Sequence, residues 1–176
     1  MTTLDNDART VRAITLQVNG REVTRTVATR TTLADFLRDD LDLVSVHLGC
    51  EHGVCGCCTV LLDGQSVRSC LMLAVQARGH DVETVESLSA DQSNLHPIQE
   101  AFAEEHGLQC GFCTPAMILR TKEILADKRQ RSDTEVRHAI SGILCRCTGY
   151  QNIVNAVQNA GRRLGCGGYP ADTQEG

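Results

Sequence analysis

The chain has 176 residues and a formal net charge of −5, with 41% hydrophobic and 22% charged residues, an ordinary composition for a globular protein of one or two domains. Its negative charge and few aromatic residues, three Phe, two Tyr and no Trp, argue against nucleic-acid binding, which relies on basic groups and aromatic rings. No apolar run approaches the ~20 residues of a membrane span, and the acidic start MTTLDNDART is unlike a secretory signal.

The first half of the sequence, residues 1–90, predicts a small α+β domain behind a polar tail of residues 1–10. Apolar and polar residues alternate on both sides of Asn19-Gly20, a dipeptide typical of the tight turn of a β-hairpin. An amphipathic helix follows, which Thr31 or Thr32 is expected to cap. The predicted elements are the hairpin over 11–28, the helix over 31–41, a strand–turn–strand unit over 58–70 and a strand near 81–86.

The second half, residues 91–165, predicts an all-α domain that follows a polar linker over residues 89–94. Pro97 and Pro115 stand where a first helical turn accepts proline, and Thr114 is the expected N-cap of the second helix. Ser132 and Glu135 have the spacing of a capping box. The predicted helices cover 96–107, 114–128, 132–142 and 148–164, and residues 166–176 are expected to form a flexible tail.

The ten cysteines are the most informative feature of the composition. Disulfide frameworks belong mostly to secreted proteins, and the start of this chain predicts no export. We therefore expect a reducing, cytoplasmic compartment, in which cysteines clustered at short spacings more often bind metal.

Four cysteines in the first half have the spacing C-x4-C-x2-C-x11-C. The opening C-x4-C-x2-C is the spacing of plant-type [2Fe–2S] ferredoxins, and zinc motifs seldom combine x4 with x2. Three glycines nearby, Gly49, Gly53 and Gly56, would let backbone N–H groups approach the sulfur atoms closely. The predicted iron ligands are Cys50, Cys55, Cys58 and Cys70.

Four cysteines in the second half have the spacing C-x2-C-x31-C-x-C, and each pair directly precedes a predicted helix. A helix N-terminus carries about half a positive elementary charge and several unpaired N–H donors. Two such ends facing each other would stabilise an anionic cluster, although zinc could use four such thiols as well. The predicted ligands are Cys110, Cys113, Cys145 and Cys147.

Two cysteines and two histidines remain near these motifs. Cys57 could replace Cys58 as a ligand, but the spacing favours a buried Cys57 without a metal, and Cys166 is expected to be inert in the tail. His47 and His52 flank Cys50, and a Rieske centre uses two histidines on one iron. With four cysteines already in register, we expect these two histidines to be loop residues.

The segments GCEHGVCGCCTVLLDG with VRSC, QCGFCTPAM and GILCRCTGYQNIV resemble the small iron–sulfur subunit of the molybdenum hydroxylases, the xanthine dehydrogenase family, in its bacterial heterotrimeric form. The resemblance covers residues 11–165. It implies a plant-type ferredoxin-like (β-grasp) domain, followed by a four-helix [2Fe–2S]-binding domain of approximate two-fold symmetry. Many relatives have a small residue such as Ala where this chain has Cys57.

The resemblance also implies a function. A large subunit would hold molybdenum in molybdopterin, in its cytosine dinucleotide form, and a medium subunit would hold FAD. The complex would be a dimer of heterotrimers in which this chain carries electrons singly from molybdenum through two [2Fe–2S] clusters to FAD. Gln109 and Cys147 match positions that touch the pterin. The substrate would be an N-heteroaromatic compound, although relatives that oxidise carbon monoxide or aldehydes share most of these segments.

Two other functions are open on the sequence alone. The chain could be a free two-cluster ferredoxin-like carrier, or a zinc-binding module that mediates protein interactions. The sequence contains no phosphate-binding motif and no nucleophile elbow, so we expect no substrate site in this chain.

Overall fold

The computed structural model describes residues 10–89 and 94–166. The predicted hairpin is confirmed: β1, Val11–Val18, pairs antiparallel with β2, Arg21–Ala28. Asn19 and Gly20 both have positive φ values, +52° and +74°, as the predicted tight turn requires.

A mixed five-stranded sheet organises the first half. The other strands are β3, Thr59–Leu62, β4, Gln65–Arg68, and β5, Asp81–Glu83. The order is β2-β1-β5-β3-β4, and only the β1–β5 pair is parallel. In the chain, the helix and the cysteine-rich loop come between β1 and β5. Because β1 and β5 pair directly, the sheet brings the two ends of this long segment together.

The helix predicted over residues 31–41 differs from the expectation. Thr32 caps it as expected, since its hydroxyl accepts a hydrogen bond from the Asp35 amide at 3.0 Å. Only its first turn, α1, Leu33–Asp35, is α-helical, and Phe36–Asp40 continues it with the wider turn of a π-helix. Four fully buried side chains of this segment pack on the sheet and form the first core with it: Leu33, Ala34, Phe36 and Leu37.

Four α-helices follow in the described part of the second half. They are α2, Pro97–Glu104, α3, Thr114–Ile124, α4, Asp133–Ile140, and α5, Gln151–Arg163. The capping box of α4 is confirmed: the Ser132 hydroxyl accepts from the Glu135 amide, and the Glu135 carboxylate accepts from the Ser132 amide. Helix α2 packs on α5, and α3 lies against β3 and β4, so the two halves are in direct contact.

The N-cap predicted for α3 is off by one residue. Cys113 occupies the N-cap position, with no capping hydrogen bond from its side chain, and Thr114 is the first helical residue. Pro115 is compatible with either alignment because the first helical turn needs none of its own N–H groups. The Thr114 hydroxyl therefore does not cap α3, contrary to the prediction from the sequence.

The expectation that Cys166 lies in an exposed tail is wrong. Cys166 is 5% exposed and belongs to the core of the second half. Gly165 has φ +68°, the Cys166 amide donates to the Gly161 carbonyl at 2.9 Å, and the Gly165 amide donates to the Arg162 carbonyl at 3.0 Å. These bonds form a Schellman motif, which turns the residue after the glycine back onto the helix. The remainder of the predicted tail lies outside the described residues.

No helix in the described ranges is both long enough and apolar enough to cross a membrane.

Candidate metal centres

The first group of cysteines comes together around the loop that precedes β3. Cys50 and Cys55 lie in this loop, Cys58 lies at its end, and Cys70 lies in a single 3-10 turn after β4. The Cys55 amide donates to the Cys50 sulfur at 3.3 Å. Burial first, and then the neighbouring Cys58 thiol, raises the pKa of Cys70 to about 11, and the charge of Cys50 acts in the same direction. The four predicted ligands of the first half are therefore neighbours in space.

Backbone N–H groups of this loop favour the charged form of Cys50. Hydrogen bonds from the Cys55 amide first, and then from the His52 amide, lower the pKa of Cys50 to about 6. Thiolate is the form in which cysteine binds metal. The loop therefore prepares one ligand position for a cation, as the glycine-rich sequence predicted.

Gly49 lies where the loop leaves little room for a side chain. A Cβ atom there would lie 3.2 Å from the Cys55 sulfur and 3.3 Å from the Phe112 ring. Phe112 belongs to the loop that carries the second group of cysteines, between Cys110 and Cys113. The two cysteine loops are therefore packed against each other at Gly49.

The cysteines of the second group contact one another in two pairs, and each pair joins the start of α3 to the start of α5. The sulfur atoms of Cys110 and Cys147 are 3.5 Å apart, and both residues are exposed. Cys113 is buried beside Cys145: burial first, and then the hydrogen bond with Cys145, raises the pKa of Cys113 to about 12. Each cysteine that precedes α3 thus contacts one that precedes α5. Within the described ranges, no three Cys, His, Asp or Glu side chains surround one point closely enough to hold a single metal ion.

Cys145 is held by two residues that sequence reasoning missed. The Thr148 hydroxyl lies 3.2 Å from the Cys145 sulfur, and the Tyr150 hydroxyl accepts a hydrogen bond from the Cys145 amide at 2.8 Å. The Tyr150 amide donates to the Thr148 hydroxyl at 3.1 Å and so closes the ring. Burial, the largest single effect, acts to raise the pKa of Cys145, but hydrogen bonds from Thr148, Cys147 and Cys113 together lower it. The segment CTGY was the available signal, since it places both hydroxyls next to the cysteine pair.

Two backbone stretches, residues 55–56 and 142–144, form what we call the seam between the cysteine loops. The Leu144 amide donates to the Cys55 carbonyl at 2.8 Å. A Cβ atom on Gly56 would lie only 2.3 Å from the Gly142 carbonyl oxygen. The Arg68 guanidinium donates to that same oxygen at 2.6 Å. The seam fixes the distance between the two groups of cysteines.

The remaining candidates have partners within the protein. Cys57 is 5% exposed, and burial, followed by the charge of Cys55, raises its pKa to about 12; it is buried, as expected, and its lack of a metal stays a prediction. His47 stacks on Phe112, with ring centres 4.7 Å apart, and its Nδ1 lies 2.7 Å from the Phe112 carbonyl oxygen. The His52 Nδ1 atom bonds the Cys50 carbonyl. Both histidines thus make loop contacts.

Gln109 and Cys147, the predicted pterin contacts, are both exposed. Gln109 is next to Cys110 in the chain, and Cys110 touches Cys147. The two residues therefore belong to one exposed edge of the second group of cysteines. Whether a pterin reaches this edge stays a prediction.

Comparisons with known proteins agree with these two centres. The family model described as a 2Fe-2S iron-sulfur cluster binding domain matches residues 16–89, and the [2Fe-2S] binding domain matches residues 84–158. The chain is 56% identical to caffeine dehydrogenase subunit gamma of Pseudomonas sp. (strain CBB1) over 149 residues, 83% of this chain and 89% of the relative.

Two further similarities extend this picture. The chain is 42% identical to the xanthine dehydrogenase iron-sulfur-binding subunit of Escherichia coli O157:H7 over 154 residues, 86% of this chain and 95% of the relative. The crystal structure of quinoline 2-oxidoreductase from Pseudomonas putida 86 matches with a TM-score of 0.84 and 44% identity, over 89% of this chain and 99% of that chain.

Proposed function

The chain belongs to the iron–sulfur subunits of the molybdenum hydroxylase (xanthine dehydrogenase) family, and on that premise we propose that it is the electron-transfer subunit of a molybdenum-containing hydroxylase. The observation that carries the proposal is that eight cysteines gather as two groups of four, one in each matched [2Fe–2S] domain. Like its relatives, the chain serves as a subunit of an oxidoreductase.

The cysteine geometry fits the proposed clusters. Iron–sulfur clusters of the [2Fe–2S] type are held by four thiolates, and the second group offers its thiols as two contacting pairs, Cys110 with Cys147 and Cys113 with Cys145. The buried, unpartnered hydroxyl oxygen of Thr114, directly after Cys113, is a further sign that an acceptor belongs beside this group. When bound, the two clusters supply one-electron transfer between a molybdenum–pterin cofactor and FAD.

This chain's residues hold and orient the two proposed centres. The first would be bound by Cys50, Cys55, Cys58 and Cys70, and the second by Cys110, Cys113, Cys145 and Cys147. The seam keeps the two loops in backbone contact, with the Leu144 amide on the Cys55 carbonyl at 2.8 Å. This backbone contact would hold the two proposed clusters at a fixed separation.

We place two partner subunits beside this chain in the proposal. A large subunit would carry molybdopterin in its cytosine dinucleotide form, and Gln109 and Cys147 would face it, because they are exposed at the second group of cysteines. A medium subunit would carry FAD, and two such heterotrimers would associate. We place the complex in the cytoplasm, because cysteines clustered at short spacings remain reduced and available to metal in a reducing compartment.

The proposed substrate of the complex is an N-heteroaromatic compound. Caffeine and quinoline, named in the similar proteins of Pseudomonas, are both nitrogen heteroaromatics. The substrate site would lie in the large subunit, so purified complex should be tested for oxidation of purines, pyridines and quinolines against simple aldehydes.

Metal analysis and electron paramagnetic resonance (EPR) of the complex from its native host test the electron-transfer role. We expect about four iron and about four sulfide per chain, since each [2Fe–2S] cluster has two of each, and two distinct signals on reduction. Cys147→Ala should remove the signal of the second cluster and stop substrate-linked reduction of FAD, while reduction of molybdenum survives.

Cys166→Ala is the matched control, because Cys166 is a buried cysteine outside both groups. It should keep both signals. A colourless, zinc-loaded chain would refute the proposal in favour of a zinc-binding module. A two-cluster protein that elutes alone near 19.1 kDa, without molybdenum or flavin, would instead identify a free carrier.

A further inference from the structure

We infer that the hydroxyls of Thr114 and Thr148 donate hydrogen bonds to sulfur atoms of the cluster held by the second group of cysteines, and thereby raise its reduction potential. The inference rests on the proposed function, because it needs that cluster. It assigns a role to two residues of this chain that are not themselves metal ligands.

Thr114 provides the first observation. Its hydroxyl oxygen is buried and has no hydrogen-bond partner within the described protein, although buried polar groups nearly always have one. Thr114 directly follows Cys113, which is 7% exposed, at the start of α3. A cluster sulfur at this position would supply the missing acceptor.

Thr148 provides the second, independent observation. Its hydroxyl lies 3.2 Å from the Cys145 sulfur and also accepts the Tyr150 amide at 3.1 Å. A metal-bound thiolate carries no proton, so the hydroxyl proton of Thr148 must point toward the sulfur. Tyr150 is a positioning residue here, because its hydroxyl holds the Cys145 amide at 2.8 Å and keeps the ring closed.

A third threonine in the same sequence context behaves differently. Thr59 follows Cys58 just as Thr114 follows Cys113, but its hydroxyl donates to the Gly56 carbonyl at 2.6 Å and accepts from Arg68 at 2.7 Å. Its only proton is thus engaged by backbone. Threonine donors are therefore a feature of the second centre and not of every Cys-Thr pair.

The expected consequence is a difference between the two centres. Uptake of one electron adds a negative charge to a bound cluster, and donors to its sulfur atoms stabilise that charge. Hydrogen bonds to the sulfurs are among the factors that set the potentials of such clusters. The two hydroxyls should therefore make the second cluster easier to reduce than it would be without them.

The test is an EPR-monitored redox titration of the complete complex with Thr114→Val and Thr148→Val. Each variant should change the equilibrium ratio of one electron between the two clusters about tenfold, in favour of the first cluster. This corresponds to a reduction potential of the second cluster that is lower by about 59 mV. The first cluster serves as an internal reference and should not move. Thr114→Ser and Thr148→Ser keep the hydroxyl and should keep the potential.

Thr121→Val is the matched control in the same helix. Thr121 is fully buried, and its hydroxyl donates to the Met117 carbonyl at 2.7 Å, so its loss should change stability without moving either potential. Unchanged potentials in both valine variants with both clusters present would overturn the inference, as would equal shifts of the two clusters. If Thr114→Val assembles no second cluster, Thr148→Val decides alone. Absence of iron from the wild-type complex would instead refute the proposed function.

Discussion

Substitution of Gly56 by alanine tests whether the seam holds the two cysteine loops together. The new Cβ atom would lie 2.3 Å from the Gly142 carbonyl oxygen and 3.0 Å from the Ile143 Cα atom. Both are backbone atoms that cannot swing aside as a side chain can. Gly56 also has φ +72°, a left-handed conformation that costs an L-residue about 1–2 kcal/mol.

Gly64 separates these two effects. It lies in the β3–β4 turn with φ +80°, and a Cβ atom there would meet nothing within 4 Å. Gly64→Ala should therefore show only the conformational cost, whereas Gly56→Ala adds an overpacking cost of about 1–3 kcal/mol. In a chain of this length each kcal/mol lowers the thermal midpoint by about 2–4 °C.

The thermal midpoint of Gly56→Ala should thus lie about 2–12 °C below that of Gly64→Ala, by the same overpacking cost and midpoint scaling. Differential scanning calorimetry of both variants in the same buffer measures the difference, and EPR reports whether the two clusters remain in place. Equal midpoints for the two variants would refute the idea that the seam is a tight backbone contact.

Three further predictions concern single side chains. Cys57→Ala should keep both EPR signals and the iron content, because we assign Cys58 as the ligand; loss of the first-cluster signal would reverse that assignment. Cys166→Ser should lower the thermal midpoint relative to Cys166→Ala, since the Cys166 sulfur lies 3.9 Å from its acceptor, the Leu125 carbonyl oxygen, too far for a serine hydroxyl to bond, and a buried hydroxyl without a partner costs about 1–3 kcal/mol; equal midpoints would mean that the hydroxyl reaches this oxygen or water. Ser132→Ala should destabilise the chain by about 0.5–2 kcal/mol through loss of the α4 cap, as measured by urea unfolding, whereas Ser132→Thr should lose less; equal losses would contradict the capping role.

Local sequence signals predicted most of the fold. Asn19-Gly20 with its alternating flanks located the first hairpin, because both the turn and the register depend on adjacent residues. Helix α4 was located by Ser132 and Glu135 for the same reason. The cysteine spacings likewise divide the eight predicted ligands into two groups of four.

Features that depend on distant segments were missed or misplaced. The sequence predicted that the two helix starts face each other, but the spacing did not show which cysteines contact across them, Cys110 with Cys147 and Cys113 with Cys145. Cys166 is the first residue of the predicted tail, but Gly165 in fact turns it onto its own helix. Helix α3 begins one residue earlier than predicted, so Thr114 is its first helical residue and not its N-cap. This is why the sequence did not reveal that the Thr114 hydroxyl is buried without a partner in the described protein.

The hydrophobic interior of the second half contains residues contributed by the first. Cys57 belongs to that interior, and Cys55, Val85 and Leu88 pack against it. A polypeptide that began after the 89–94 linker would therefore leave a hole where these side chains insert. The helical unit is therefore not self-sufficient, and expressed by itself it should expose part of its apolar interior to water, whereas the first unit has a separate core of its own.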